Sequence, residues 1–378
     1  MKGLTVEQYS TIDQRSSADR CSIAEQHDSV DQRGEDRRRK QERIAAIRRD
    51  RLDGAALLLT SHEAVSWYLD GIRTHVSLAG APVLAVRVDD GGDVLHVAAN
   101  EADRLIAEEL HSADVARVVR VPWQVPPASA AEALGRVGLE ADVAPELRAA
   151  RAALLPGEST RYRALGREVA EVMTDVAAVL MPESTEQQAA ALLAARLVAR
   201  GIDPLVLLVA GESRLPHRHP LPTAARLGAR AMLVVCGRRH GLIANATRWA
   251  GRPGADDERI LDVEAAFFSA TSAGRPLNDV FAAGIAGYAR AGFAADEWAR
   301  HHQGGVAGYA GRDPRATGGE PDVVQDGQAF AWNPSAPGAK VEDTVLISSG
   351  AVEVLTVDPR WPAASFAGVS RPLARVWG

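Results

Sequence analysis

Apolar residues recur at helical spacing through "RIAAIRRDRL" (43–52) and then run uninterrupted through "GAALLLTS" (54–61), which predicts a helix followed by a buried strand. "PVLAVRVDDGGDVLHVAAN" (82–100) holds two apolar runs around Asp89-Asp90-Gly91-Gly92, the pattern of a hairpin. Helical spacing returns in "NEADRLIAEELH", a strand pattern in "VARVVRVPW" and a helical one in "ASAAEALGRVG". This alternation predicts an α/β domain over residues 39–155. From Leu155 to Gly201 the pattern is that of two long helices separated at Pro182, with Ser184 to Gln187 fitting a capping box and Gly201 a C-terminal stop. Beyond them come strands ("PLVLLVAG", "ARAMLVVCGRR", "QAFAWNPS", "EDTVLISSGAVEVLT") and helices ("DDERILDVEAAFFSATSAG", "PLNDVFAAGIAGYARAG"), segregated more than alternated. Residues 156–378 are therefore expected to form an α+β domain. Residues 1–38, rich in Gln, Ser, Asp and Arg and poor in apolar positions, are expected to be a flexible arm.

Composition changes this picture little. The chain has 378 residues, 46% of them hydrophobic and 24% charged, and a net charge of −6, so no basic excess argues for nucleic acid or an anionic membrane. The two cysteines, Cys21 and Cys236, form no CxxC pair; a reducing compartment is expected and a thiolate zinc site is not. No apolar run approaches the roughly 20 residues a bilayer requires, and the N-terminus has no apolar signal segment. A cytoplasmic protein is the expectation.

Polar residues break into the strand-like runs at four places. "SRLPHRHPLPT" sets His217, Arg218 and His219 among prolines, which stiffen the loop. "GLIANATRWA" offers Asn245, Thr247 and Arg248, with Asn245 and Thr247 on one strand face. "HHQGGVAGY" (301–309) offers His301, His302 and Gln303 beside glycines. "AWNPSAPGAKVEDTVLI" offers Asn333, Lys340, Glu342 and Asp343, where charge entering an apolar strand needs a partner.

In this order, and together with "MPESTEQQ" ahead of them, the four stretches resemble the pita-bread fold of creatinase, aminopeptidase P, prolidase and methionine aminopeptidase over residues 158–378. "AVSWYLDG" is similar to the N-terminal domain of creatinase and prolidase. The resemblance implies an α/β N-terminal domain plus an α+β pita-bread domain, and a homodimer in which His75 or Trp67 of one chain could reach the other's cleft. Metallopeptidases of the family hold two divalent metals with two Asp, one His and two Glu. At the matching positions this chain has Val235 or Cys236, Asn245, His302, Asn333 and Glu342. Three anionic ligands are replaced by neutral groups, so the expectation is no metal and no other cofactor.

What remains points to a metal-independent, creatinase-like enzyme that hydrolyses or lyses a C–N bond of a small polar or anionic metabolite. His219, His302 and Glu342 would be catalytic, the histidine suiting proton transfer near neutral pH. Arg218, Asn245, Arg248, Gln303, Asn333 and Lys340 would bind substrate, the arginines favouring a carboxylate or phosphate. The glycines of "HHQGGVAGY" would let the substrate approach the backbone. The alternatives are a non-catalytic pita-bread binding protein and an Xaa-Pro peptidase with unconventional metal ligands.

Overall fold

In the computed structural model the described residues are 30–377. The chain opens on a 22-residue helix, α1 (Val30–Arg51). The expected arm therefore lies outside the described residues up to position 29, while residues 30–38 belong to a helix. Its first turns are held by charge pairing, whereas Ile44 and Ile47 farther along are buried in the core. Arg37 bonds to Asp70 at 3.0 Å and to Asp114 at 3.1 Å. Lys40, fully buried, reaches Asp70 at 2.7 Å and Glu158 at 3.2 Å. Asp36 accepts from the backbone N–H of Gly157 at 3.0 Å. The stretch "DQRGEDRRRK" thus ties the N-terminal half to the helix that opens at residue 156.

The N-terminal half continues through β1 (Ala56–Leu59), α2 (His62–Tyr68), β2 (Leu84–Asp89), β3 (Gly92–Ala98), α3 (Ala99–Glu108), α4 (Ser112–Val115), β4 (Val118–Val121), α5 (Pro127–Glu132), β5 (Val137–Leu139) and α6 (Ala144–Ala152). Its sheet has the order β4-β3-β2-β1-β5. β2 and β3 form the expected hairpin, with Asp89 opposite Gly92 across a two-residue turn. "ASAAEALGRVG" is only half helical: α5 stops at Glu132 and its last residues enter β5, parallel to β1.

The two long helices are α7 (Pro156–Ala177) and α8 (Glu186–Ala199). The capping box lies one residue later than its sequence pattern suggests. The Thr185 hydroxyl accepts from Gln188 N–H and the Gln188 side chain from Thr185 N–H, while Ser184 receives the N–H of Met181 in the preceding turn. Gly201 ends α8 at φ 67°, as expected.

β6 (Asp203–Ala210), β7 (Arg230–Arg239), β8 (Leu242–Gly251), β9 (Gly304–Ala307), β10 (Ala329–Trp332), β13 (Asp343–Ser348) and β14 (Ala351–Val354) form the second sheet; the short pair β11 (Ser335–Ala336) and β12 (Ala339–Lys340) precedes β13. Its order is β6-β7-β8-β13-β10-β9, with β14 on β13. Helices α9 (Asp257–Ala270) and α10 (Leu277–Arg290) pack with β9, β10 and β13 through Phe267, Phe281, Phe330 and Trp332. α7 and α8 share a larger core with β7, β8 and the first sheet. Helices and strands are segregated in this half, as the sequence implies: an α/β N-terminal part and a curled, α+β C-terminal part.

The β7–β8 hairpin turns at His240 and Gly241 and pushes into the N-terminal half. A Cβ on Gly241 would lie 2.6 Å from the Cβ of Ser66, so only glycine allows this approach. Trp67 is fully buried in the shared core, and His75 faces Asp203 at 3.7 Å within the same chain.

Candidate functional site

Four backbone pairings set the site. β7 and β8 align Cys236 opposite Asn245, β8 and β13 align Ala246 opposite Asp343, and Thr247 N–H bonds to the Glu342 carbonyl at 2.9 Å. Asn333 leaves the end of β10 held by its N–H to the Gln303 carbonyl at 3.1 Å. The residues taken from distant stretches of sequence therefore meet around a cavity of about 790 Å³. One wall is apolar, formed by Leu205–Leu208 of β6 with Leu221, Val234 and Ile243. The other carries His219, His302, Asn245, Asn333, Arg312, Arg315, Lys340 and Glu342.

Glu342 is the floor, 2% exposed. One carboxylate oxygen accepts from Lys340 Nζ at 2.7 Å and from the Thr247 hydroxyl at 3.3 Å; the other accepts from Arg312 at 2.6 Å. Lys340 also donates to Thr247 at 3.0 Å. Burial alone would raise the Glu342 pKa, but Lys340 and Arg312 overcome it and hold the group down at about 2. Held ionised, with both oxygens accepting from fixed cations, it is poorly placed to serve as a general acid or as a free cation anchor. Lys340 is likewise bound to the floor rather than open to substrate.

The histidine wall is different. His219 Nε2 and His301 Nε2 face each other at 3.0 Å, and the His301 and His302 rings lie 4.4 Å apart between centroids. Nδ1 of both His301 and His302 is buried with no hydrogen-bond partner among the described residues, as is Oδ1 of Asn333. Burial depresses all three imidazoles, Lys340 adding to the effect on His301 and Arg312 on His302; His301 falls to about 2 and His302 to about 4. They are neutral at physiological pH, with lone pairs available.

Other expected binding residues have different duties. Arg218 is held by Glu297 and bonds to Ser335 Oγ at 3.1 Å, outside the cavity lining. Arg248 sits in a buried network, bonding to Asp343 at 2.8 Å, and Asp343 in turn bonds to Arg371 at 2.8 Å and Arg371 to Glu264 at 2.6 Å. It braces β8 against β13 and does not line the cavity. Gln303 is also spent: it accepts from Tyr288 at 2.7 Å and donates to the carbonyls of Trp298 at 2.9 Å and His301 at 2.7 Å. It fixes the loop that presents the histidines. Asn245 lines the cavity and donates to the Ile243 carbonyl at 3.3 Å.

Of the glycines of "HHQGGVAGY", Gly304 serves the sheet. Gly304 has φ 97°, and a Cβ there would lie 2.0 Å from the Ala331 carbonyl oxygen of β10. The sequence reading did not single out Arg312 or Arg315 and gave His301 no role. "GRDPRATGG", a glycine- and proline-rich loop, carries both arginines to the cavity, and only tertiary structure shows it. Arg315, at the rim, makes no ion pair or side-chain hydrogen bond among the described residues.

The two-metal centre of the pita-bread metallopeptidases does not fit these residues. Cys236 is a thiol whose pKa burial pushes up to about 12, Asn245 and Asn333 are neutral, and the surviving carboxylate is already neutralised by two fixed cations. Among the described residues the one cluster with metal-ligand spacing is His219, His301 and His302.

No family model matches the sequence, and no curated protein matches it. Solved structures do match in fold. The prolidase from Pyrococcus horikoshii OT3 aligns at a TM-score of 0.68 and 16% identity, over 85% of this chain and 99% of that one. The dipeptidase PepE from Mycobacterium ulcerans aligns at 0.67 and 21%, over 85% and 96%. The N-terminal domain of the FACT complex subunit SPT16 from Cicer arietinum aligns at 0.62 and 13%, over 85% and 95%. What these alignments establish is the fold: the chain has the pita-bread architecture of these prolidases and dipeptidases.

Proposed function

We propose that the cleft takes a short peptide or N-substituted amino acid by its carboxylate and hydrolyses the amide C–N bond, without the dinuclear centre. The observation that carries this is the charge balance of the cavity. Glu342 is matched by Lys340 and Arg312, which together exceed it, and Arg315 adds a cation with no protein partner among the described residues. With neutral histidines the lining is net positive, which favours an anionic group on the ligand. The apolar wall from β6 suits an aliphatic side chain, and the volume suits something of dipeptide size. The unpartnered Asn333 Oδ1 calls for a donor, which an amide or amine N–H supplies.

The choice of reaction draws on the fold neighbours, among them the Xaa-Pro dipeptidase from Bacillus anthracis. In such a hydrolysis water adds to the amide carbon, the C–N bond breaks, and the proton from water ends on the leaving nitrogen. With Glu342 occupied, the imidazoles are the groups at the cavity with lone pairs to activate that water. This moves the catalytic assignment from Glu342 to the histidines. The non-catalytic reading has one observation in its favour: the same fold occurs in the FACT complex subunit SPT16.

A screen of Xaa-Pro and other dipeptides, N-acyl amino acids and their C-terminal amides separates the two. Turnover confined to free-carboxylate compounds and weakened in Arg315→Ala supports the proposal. Saturable binding with no turnover of any compound supports the non-catalytic reading, and turnover of amides as good as that of acids overturns the carboxylate role.

A further inference from the structure

We propose that His219, His301 and His302 form a mononuclear site for a borderline transition cation of the Zn²⁺ class, distinct from the two-metal centre. The inference rests on the proposed function only for its use; the site itself is argued from geometry. Two imidazole nitrogens, His219 Nε2 and His301 Nε2, lie 3.0 Å apart. Ligand atoms at zinc–nitrogen distances of about 2.0–2.1 Å around a tetrahedron are separated by roughly 3.3 Å, so this pair already has nearly the spacing of two metal ligands. One ligand nitrogen from each of the three histidines falls within 4.8 Å of the others. The third has to close by about 1.5 Å on that tetrahedral spacing, and His302 borders the cavity, where its ring has room to turn.

A second observation is independent of that spacing. The His302 Nδ1 atom is buried and has no partner among the described residues, although buried polar nitrogens ordinarily find one. His301 Nδ1 is also unpartnered, but with Nε2 on the metal it is the N–H side of the ring and supplies no ligand. Three imidazoles close together with no acid among them are a poor hydrogen-bonding cluster and a good nitrogen-donor set. Such a set selects Cu²⁺, Zn²⁺ or Ni²⁺ over Mg²⁺, Ca²⁺ and Mn²⁺, which prefer oxygen. Three protein ligands leave a fourth position open for water or substrate. The nearby cations count against the site, but Lys340 and Arg312 are turned onto Glu342, which offsets part of their field.

The site is new to this chain in a specific respect. His301 answers to no ligand of the inherited set, and its side chain is turned toward His219 by a loop that Gln303 fixes through the His301 carbonyl. The expectation of a metal-free cleft followed from five inherited positions and did not weigh His301.

The test uses the full chain without a polyhistidine tag, stripped by chelator and titrated with Zn²⁺ alone. Calorimetry and elemental analysis after dialysis should give one tightly held zinc per chain. His301→Gln should weaken it at least about tenfold, in line with losses known for metal-site substitutions, and Cys236→Ser should leave it unchanged. Substoichiometric zinc, two zincs per chain, or binding equal in wild type and His301→Gln would overturn the proposal. Co²⁺ in place of Zn²⁺ keeps the test sound if His301→Gln does not fold. A visible ligand-field band of tetrahedral intensity with no thiolate charge-transfer band is expected from the wild-type chain. A thiolate band, or a weak octahedral spectrum, overturns it. Because none of these readouts involves turnover, a zinc-binding chain that hydrolyses nothing would refute the proposed function and leave the metal site standing.

Discussion

The floor and the histidine wall of one cavity handle buried polarity in opposite ways. Glu342, Lys340, Arg312 and Thr247 bond to one another, with each carboxylate oxygen taken and only Arg312 Nε left without a partner among the described residues. His219, His301 and His302 crowd together with nitrogens left over. Closed networks hold a fold in one arrangement, whereas open ones have capacity for something that is not protein. On the proposed reading, the carboxylate that the sequence singles out as catalytic takes a structural role, and His301 joins the reactive part.

The sharpest way to break this comparison is to open the floor. Glu342→Gln leaves Lys340 and Arg312 buried against a neutral amide, so denaturant unfolding should show a loss of about 3–5 kcal/mol. Lys340→Met in the same chain should recover much of that loss, because the charges leave together. A cost under about 1 kcal/mol for the single change would mean that the floor is not a closed network.

The wall should respond in function and hardly in stability. His302→Ala, at a half-buried position beside open volume, should cost less than about 1 kcal/mol in unfolding. Turnover of any substrate found in the dipeptide screen should fall at least about 100-fold, the usual worth of a lost proton-transfer group. Equal turnover in the variant would remove the histidines from the mechanism.

Acid titration separates the two halves by pH window. In metal-free protein His301 and His302 have folded pKa values of about 2 and about 4, below the unfolded value of 6.5. The unfolded chain therefore binds more protons below that value, so the contribution of the neutral imidazoles is present above pH 6.5 and lost as pH falls toward 4. Glu342, also depressed, contributes above its unfolded value of 4.5 and loses that contribution as pH falls toward 2. Stability should decline from near pH 6.5 with a slope of up to about 1.4 kcal/mol per pH unit for each histidine. His301→Gln with His302→Gln should flatten the curve between 6.5 and 4.5 and leave the steeper acid limb. An unchanged upper limb would place that titration elsewhere.

The fold was far more legible than the site. Apolar periodicity located the β2–β3 hairpin, the α7–α8 pair and the strands of the second sheet, because each depends on local pattern. The first turns of α1 are obscured in the sequence because they rest on ion pairs with Asp70 and Asp114, partners some 33 to 77 positions away, whereas its later turns bury Ile44 and Ile47. At the site, His219, His302, Asn245, Asn333, Lys340 and Glu342 do meet. Their roles could not be read along the chain, since those depend on which hydrogen-bonding positions are already filled. Arg248 and Gln303 look like ligand-binding groups in sequence and are consumed by Asp343 and Tyr288 in space.

Arg315 tests the rim, where a smaller effect is expected. Its side chain is exposed and unpaired among the described residues, so Arg315→Ala should leave unfolding within about 0.5 kcal/mol of wild type. If it receives the substrate carboxylate, KM should rise about tenfold with kcat little changed, corresponding to roughly 1.4 kcal/mol of binding made equally in ground and transition states. A fall in kcat alone would instead put Arg315 at the reacting bond.

The smallest effect belongs to Cys236, and it concerns whether the position opposite Asn245 retains any chemistry. Burial pushes its thiol up to about 12, and the ionised Glu342 nearby adds to the shift, so almost no thiolate exists near neutral pH. Although it lines the cavity, it should behave as a small apolar filler: Cys236→Ala should change stability by about 1 kcal/mol and leave turnover unaltered. Alkylation at pH 8 should be slow in the folded chain and fast after unfolding, as followed by mass spectrometry of the peptide containing residue 236. Rapid labelling of folded protein, with loss of turnover, would show that Cys236 belongs with the open wall and not with the scaffold behind it.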